Sequence, residues 1–488
     1  MHTIPPTPLA PGLTALALNN KSKHHDYIKK AIPAWLKETS PSRVNELKSA
    51  PLRIPQWNKA APASAHLRLQ GAIKDHWTHQ NEVDQALSSL QDVHAFAEPL
   101  LQKALKERYG VEVDVKQTWL RLYAPVATSW WTHDFASPVT SRTTSLLDAA
   151  LHNFATDERF THDSEFITQP DARGHFLIKP LKPKISIEQF KSLCRELDIG
   201  AQYQQHLRAV LLPSDSVASS TLQHKIILSQ KSALNAAAHL ALMKKDISQS
   251  AYEVVQGALD KRKNLTWNDN PVRYCNLAMM DTSLSGIILM VRGASTSAEP
   301  ERLIAYIPHD PEHPLKEYAS SIEFMTELTR QLRDSPASKK PTSTGLPLPQ
   351  SYQQFFSQFV AHEQRGYFFS RLNERLSKVT WHPAAPGSNL PSWRETAVDK
   401  PDLQFSVTRL EDDRRGAFDG DLWRYCYQQT LNKILNDARE IAISTSYVDR
   451  MARWAWWDNL EKMLSDILNV ALLVVTPFVP FLGELMLA

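Results

Sequence analysis

Four places in the chain carry residue types that do chemistry in other proteins, and spacing decides what each is worth. His362-Glu363-Gln364-Arg365-Gly366 opens like the H-E-x-x-H zinc helix, where two imidazoles one turn apart share an ion. Gly366 stands where the second imidazole belongs, so that site is incomplete. His309-Asp310-Pro311-Glu312-His313 gathers two imidazoles and two carboxylates, donors that suit a divalent ion. Pro308, Pro311 and Pro314 stiffen this stretch into an extended turn in which side chains point apart, so the expectation is a solvated turn after a strand. Arg292, Ser295-Thr296-Ser297 and Glu299-Pro300-Glu301 imitate the Arg, Ser-Thr-Ser and Glu-x-Glu elements of ADP-ribosyltransferases. Those enzymes place the elements on separate strands, whereas here they share one polar loop. Cys194, Cys275 and Cys426 are candidate nucleophiles, but a lone cysteine on a patterned segment reads as a small core residue. No G-x-S-x-G, G-x-G-x-x-G or G-x-x-x-x-G-K-[ST] occurs. The expectation is therefore no catalytic residue, no cofactor and no metal, with a site assembled in the α+β centre as the enzymatic alternative.

The strongest physical signal lies at the C-terminus. Ile467 to Gly483 are uncharged, about 26 Å of helix against a hydrocarbon core about 30 Å thick, so one straight span is marginal. Pro477 and Pro480 would break such a helix, which predicts a hairpin bend there. Trp454, Trp456 and Trp457, beside Arg453 and Lys462, are the aromatic and basic chemistry of a headgroup zone, and are read as membrane-interface anchors. Asp466 and Glu484 flank the run. A carboxylate resists hydrocarbon when ionised and enters more easily once protonated, so these two are read as acid-sensitive brakes on insertion. A run this short also fits a buried helical pair inside a larger protein, and both readings stay open.

Positioning these groups needs a body, and composition restricts its kind. The length suits roughly three domains of ordinary size. Lys+Arg (55) and Asp+Glu (52) nearly cancel without long blocks of one sign, which argues against a nucleic-acid partner. Scarce Gly (14) and plentiful Pro (31) favour helices joined by stiff connections. The three cysteines are widely separated and form no C-x-x-C pair, so neither a disulfide framework nor a zinc ribbon is expected. The N-terminal stretch lacks a basic region followed by an apolar one, so no cleaved secretory signal is read.

Local periodicity gives an α+β fold, predominantly helical. Residues 1–62 read as a flexible Pro/Ser-rich arm, 63–333 as an α+β body and 334–350 as a linker. Residues 351–453 read as a helical subdomain with a Pro-rich insertion, and 454–488 as the hydrophobic, membrane-associating segment. Helical spacing runs from Ala63 to Tyr109, with Pro99 expected to divide it, and Val111–Pro125 alternates like a half-buried strand. Helices are predicted at Thr144–Phe154, Ile187–Leu212 with a capping-type Ser186, Ser232–Lys261, Tyr352–Leu376 and Leu422–Ile443. Three short strands between Val272 and Pro308 form a small antiparallel meander. Residues 382–402 read as a second Pro/Ser seam.

Several stretches resemble the dermonecrotic-toxin N-terminal domain family of Gram-negative bacteria. They are TWLRLYAP (Thr118–Pro125), SLLDAALHNF (Ser145–Phe154), CRELDIGAQYQQHL (Cys194–Leu207), AYIPHDPEHPLKEYAS (Ala305–Ser320), YQQFFSQFV (Tyr352–Val360), ILNDAREIAISTSYVDRMAR (Ile434–Arg453) and the closing TPFVPFLGELMLA. The resemblance runs from about Leu67 to the last residue. It implies a module at the front of a very large toxin or secreted effector, followed by a hydrophobic helical region and then leucine-rich repeats or an effector domain. The present chain looks like such a front module ending inside its hydrophobic hairpin. His309 departs from the small residue expected in its turn. No catalytic residue is carried over from the family. The implied role is non-enzymatic delivery or membrane association, with host membrane lipid or a host or secretion-system protein as partner. The implied route is from bacterial cytoplasm to the host without a cleaved signal peptide. A protein-interaction scaffold acting through the Pro/Ser seams is the third possibility.

Overall fold

A computed structural model describes residues 56–124, 140–293, 301–310, 312–333, 352–382, 392–412 and 418–451. The fold is α+β and predominantly helical, with antiparallel sheet in the middle of the chain. Among the described residues the first helices are α1 (Gln56–Ala60), α2 (Ala63–Ala86) and α3 (Val93–Tyr109). The expected break at Pro99 is absent: α3 runs through it, because Asp92 caps the first turn and Val93, Ala97, Leu101 and Leu105 bury a continuous stripe. That burial outweighs the one backbone hydrogen bond a proline removes. The chain breaks instead between Leu87 and Asp92, and Gly110, at φ 61, ends α3 in the left-handed conformation.

Strand β1 (Thr118–Tyr123) occupies only the second half of the expected strand and buries alternate residues. It pairs antiparallel with β2 (Thr140–Ser145) and β3 (Glu165–Thr168) in a three-stranded sheet. The helix expected from Thr144 is shorter, α4 (Leu146–His152), because Thr144 and Ser145 complete β2 and Ser145 then caps the helix. One long helix expected from Ile187 is two: α5 (Ile187–Leu197) and α6 (Ile199–Leu211). Ser186 and Gln189 form a reciprocal capping box on α5. Asp198, at φ 42, ends that helix and caps the next through Ala201. The run expected at Ser232–Lys261 is likewise divided, into α7 (Ser216–Lys244) and α8 (Gln249–Leu259).

The central sheet is larger than the meander read from sequence. Among the described residues it has seven antiparallel strands: β4 (Thr266–Trp267), β5 (Asn270–Met279), β6 (Thr282–Ser283), β7 (Ile288–Arg292), β8 (Leu303–Tyr306), β9 (Leu315–Tyr318) and, far along the chain, β12 (Phe405–Arg409). Between β9 and β12 come α9 (Ser321–Arg333), α10 (Tyr352–Phe356), α11 (His362–Leu376) and an antiparallel pair, β10 (Ser377–His382) and β11 (Ser392–Ala397). The second seam therefore contains a strand. Helices α12 (Leu422–Ile441) and α13 (Thr445–Met451) follow.

The chain folds as two compact units. Among the described residues, one combines 56–88 with 220–430, and its sheet is covered on both faces. Leu289, Val291, Leu303 and Ala305 pack against Phe324 and Leu328 of α9 and Phe368 and Leu372 of α11. Ile288, Met290, Ile304 and Tyr306, one residue out of phase, pack against α7, α8 and Trp423. Double coverage explains why β7 and β8 read as unbroken apolar runs instead of alternating ones. The other unit combines 89–219 with 431–451. In its core the rings of Phe154 and Phe166 meet Phe190 edge-on at 6.2 Å.

Candidate functional site

The described residues end at Met451, three residues before Trp454. The proposed interface residues Trp454, Trp456 and Trp457, the bend residues Pro477 and Pro480, and the acidic pair Asp466 and Glu484 lie outside the described residues. What the structure does describe is how the chain leading to them is held. Helix α13 is fixed inside its unit by a polar lock built from α4, α5, α6 and the loop after α4. Asn153, fully buried at φ 59, ends α4 and donates from Nδ2 to the Ile443 carbonyl at 3.3 Å and to Thr445 Oγ1 at 3.0 Å. Thr445 Oγ1 in turn donates to the Arg195 carbonyl at 2.7 Å, and its backbone N–H reaches Asp198 Oδ1 at 3.0 Å. Ile443 N–H donates to the Leu151 carbonyl at 2.7 Å.

An ion pair closes the lock. Arg195 of α5 meets Asp449 of α13 through two parallel hydrogen bonds of 2.8 and 2.9 Å, and also donates to the Phe154 carbonyl at 2.6 Å. Thr156 adds its N–H and hydroxyl to Asp449 Oδ1, both at 3.0 Å. The Arg195 hydrogen bonds, aided by those from Thr156, hold the Asp449 carboxyl down at about 2. Gly200 makes the close approach possible. A Cβ at that position would lie 2.4 Å from backbone atoms of Ile443 and Ser444, so only glycine lets α6 touch this segment.

Nearby, the same loop is stiffened by buried charge. Arg142, from β2, donates to Glu158 at 2.6 Å with both side chains almost wholly buried, and its guanidinium lies 4.5 Å from the Phe154 ring centroid. Lys191 donates to the carbonyls of Thr156 and Glu158. Nothing in the local sequence announces this assembly, because Arg142, Arg195 and Asp449 are far apart in the chain and each looks like an ordinary surface charge.

The other sequence candidates fare differently. Cys194 is buried in α5 and burial pushes its thiol well above the ordinary range. Burial also raises Cys275 to about 11 and Cys426 to about 12. All three are therefore protonated at neutral pH, the wrong state for a nucleophile. Cys275 lies within the packed core on one face of the sheet, and Cys426 packs against the core on the other. His362 is buried at the start of α11. Arg292 ends β7, and its N–H donates to the Arg302 carbonyl at 2.9 Å, while Ser295, Thr296, Ser297 and Glu299 lie outside the described residues. The His309–His313 turn is a correction. Asp310 is buried, not solvated, and Glu312 and His313 converge with Glu327 of α9 instead of diverging. A buried carboxylate that captures the turn's own N–H groups overrides the spreading expected of a proline-rich stretch.

Comparison with known proteins fits this architecture to a class. A family model described as dermonecrotic toxin, N-terminal domain, matches residues 87–342, more than half of the chain. The chain belongs to the dermonecrotic toxin N-terminal domain family, and is a toxin module in that sense. No curated protein matches it. Among the described residues no helix is long and apolar enough to cross a membrane.

Proposed function

We propose that the chain is a non-enzymatic delivery module that associates with host membrane lipid through residues 454–488. The observation carrying this reading is the lock on α13: the residues just ahead of the tryptophan-rich and uncharged stretch are fixed to the body by an ion pair, a buried asparagine and a glycine contact. A segment that enters lipid transmits position to the protein only if its root is held. Delivery by an export machine that reads no cleaved signal peptide fits the family, and a host or secretion-system protein is a further partner. The raised thiols of Cys194, Cys275 and Cys426 weigh against the alternative of a cysteine-based enzyme.

The test uses the full chain and dye-loaded anionic liposomes at pH 7 and pH 5, alongside a full-length variant carrying Val470→Lys and Leu473→Lys. Charge in the middle of an apolar run costs about 3 kcal/mol per residue on insertion scales. Acid-dependent release by the native chain, lost in the variant, is the expected result. No release at either pH, or equal release by the variant, removes the membrane reading.

A further inference from the structure

The turn between β8 and β9 is organised around a carboxylate that solvent does not reach. Asp310 is 1% exposed; its Oδ1 accepts the N–H groups of Glu312 at 2.8 Å and His313 at 2.7 Å, and its Oδ2 accepts the Tyr352 hydroxyl at 2.6 Å. This fixes the backbone on which Glu312 and His313 stand. Their side chains meet Glu327, and one ligand atom of each of the three lies within 4.8 Å of the other two.

Two further contacts surround this group, one on the imidazole and one on the carboxylates. His313 Nδ1 lies 2.9 Å from Asp246 Oδ2, the contact by which an outer carboxylate orients an imidazole and fixes its tautomer, leaving Nε2 as the lone-pair nitrogen. The Arg330 guanidinium bridges the two glutamates, 3.1 Å from Glu312 and 2.8 Å from Glu327. A positive charge therefore already sits between the carboxylates. Lys244 donates to the Glu312 carbonyl and lies 3.7 Å from Asp246, which moderates the negative potential.

We propose that Glu312, His313 and Glu327 bind a divalent transition-metal ion, with Asp246 orienting the imidazole and Arg330 as the resident cation that the ion displaces. One imidazole and two carboxylates are three protein ligands of types that zinc accepts, and water in the fourth place would complete an open tetrahedral site. Calcium and magnesium prefer oxygen alone, so the imidazole selects against them. In a tetrahedral site with bonds of about 2.0 Å the ligand atoms stand about 3.3 Å apart. Side-chain rotation closes that difference once Arg330, half exposed, exchanges its two hydrogen bonds to Glu327 and one to Glu312 for water. The ion would tie the β8–β9 turn to α9, and this inference stands independently of the membrane reading.

The test is calorimetric titration of zinc into the full chain, previously treated with chelator, with magnesium and calcium titrated separately. The chain has 18 histidines, so the result is read as a difference between variants. Expected are one zinc per chain at micromolar concentration, no comparable calcium or magnesium binding, and at least tenfold weakening in His313→Gln, Glu327→Gln and Asp246→Asn. Arg330→Gln removes the competing cation and should tighten binding by roughly threefold to tenfold. Absence of zinc binding, unchanged affinity in His313→Gln and Glu327→Gln with native circular dichroism, or weaker binding in Arg330→Gln overturns the proposal. Should the ligand variants fail to fold, the direction of the Arg330→Gln change decides alone.

Discussion

Replacing Asp449 with Asn should loosen α13 about tenfold at neutral pH, and the size follows from the lock itself. The carboxyl is held at about 2 against an ordinary 3.8, chiefly by the Arg195 hydrogen bonds. A shift of that size corresponds to a gross stabilisation of about 2.4 kcal/mol at about 1.36 kcal/mol per unit. Asp449 is 37% exposed, and solvent screening reduces the contribution to about 1.4 kcal/mol, a factor of about ten in the local opening equilibrium. The sign in pH follows from the depressed value. The contribution is whole above about pH 5 and is lost progressively as pH falls through the ordinary 3.8 and then through about 2. Endosomal acid thus leaves the lock closed. Hydrogen exchange of the amides of residues 445–451, corrected for intrinsic rates, reads both effects. Protection should fall about tenfold in Asp449→Asn at pH 7, and native protection should be the same at pH 5 as at pH 7. Unchanged protection in the variant, or native protection lost between pH 7 and pH 5, would refute the reasoning.

Three other perturbations have defined outcomes. Gly200→Ala, which helix propensity alone would favour, should cost about 3 kcal/mol because its methyl meets the backbone of Ile443 and Ser444, and a lower melting temperature checks it. Arg142→Met leaves Glu158 buried without its partner and should cost about 3–5 kcal/mol, with Arg142→Met/Glu158→Leu recovering much of it in the same melt. His76 is held near 3 by burial, with His309 and His79 adding repulsion, so the folded chain stays unprotonated where the unfolded chain takes up a proton. Stability is then lost as pH falls below 6.5, about 2 kcal/mol between pH 7 and pH 5, and His76→Leu should shrink the acid-induced drop in melting temperature.

Much of the fold was legible because it is local. Ser186 announced α5 through its capping pattern, Thr118–Tyr123 announced β1 by alternation, and the apolar runs of β7 and β8 announced strands of an antiparallel meander, though not that both its faces are covered. The misreadings have a common physical origin in a local preference overruled at a distance. Pro99 stays in a helix because four buried side chains hold it there, and Asp198 splits a helix because its side chain serves both Ala201 and Thr445. Strand β12 was missed because its partner, β5, precedes it by more than a hundred residues. Dermonecrotic-toxin kinship was legible in landmark strings such as TWLRLYAP, whereas the α13 lock was not. Its members reveal themselves only when α5 and α13 meet, and the same holds for Glu327 facing the His313 turn.

His76 and Asp449, both held well below their ordinary values, respond differently to mild acid. Helix α2 carries His76 and Gln80 on its buried stripe, where His76 Nδ1 lies 3.3 Å from Ser232 Oγ and Gln80 accepts the Ser229 hydroxyl at 2.8 Å. The Ser232 hydroxyl is already committed to the Ser229 carbonyl, so His76 is the donor in that contact, through Nδ1. A second proton on the ring would add charge beside His309 and His79 with no carboxylate among the causes of its shift to receive it. Acid therefore weakens the seat of α2 on α7 by about 2 kcal/mol over the interval in which the Asp449 lock loses nothing. If acid drives any rearrangement in this molecule, α2 should exchange first at pH 5 while α13 stays protected. That order is the one the proposed delivery role requires, because a body that loosens while the root of its apolar segment stays fixed can still direct that segment.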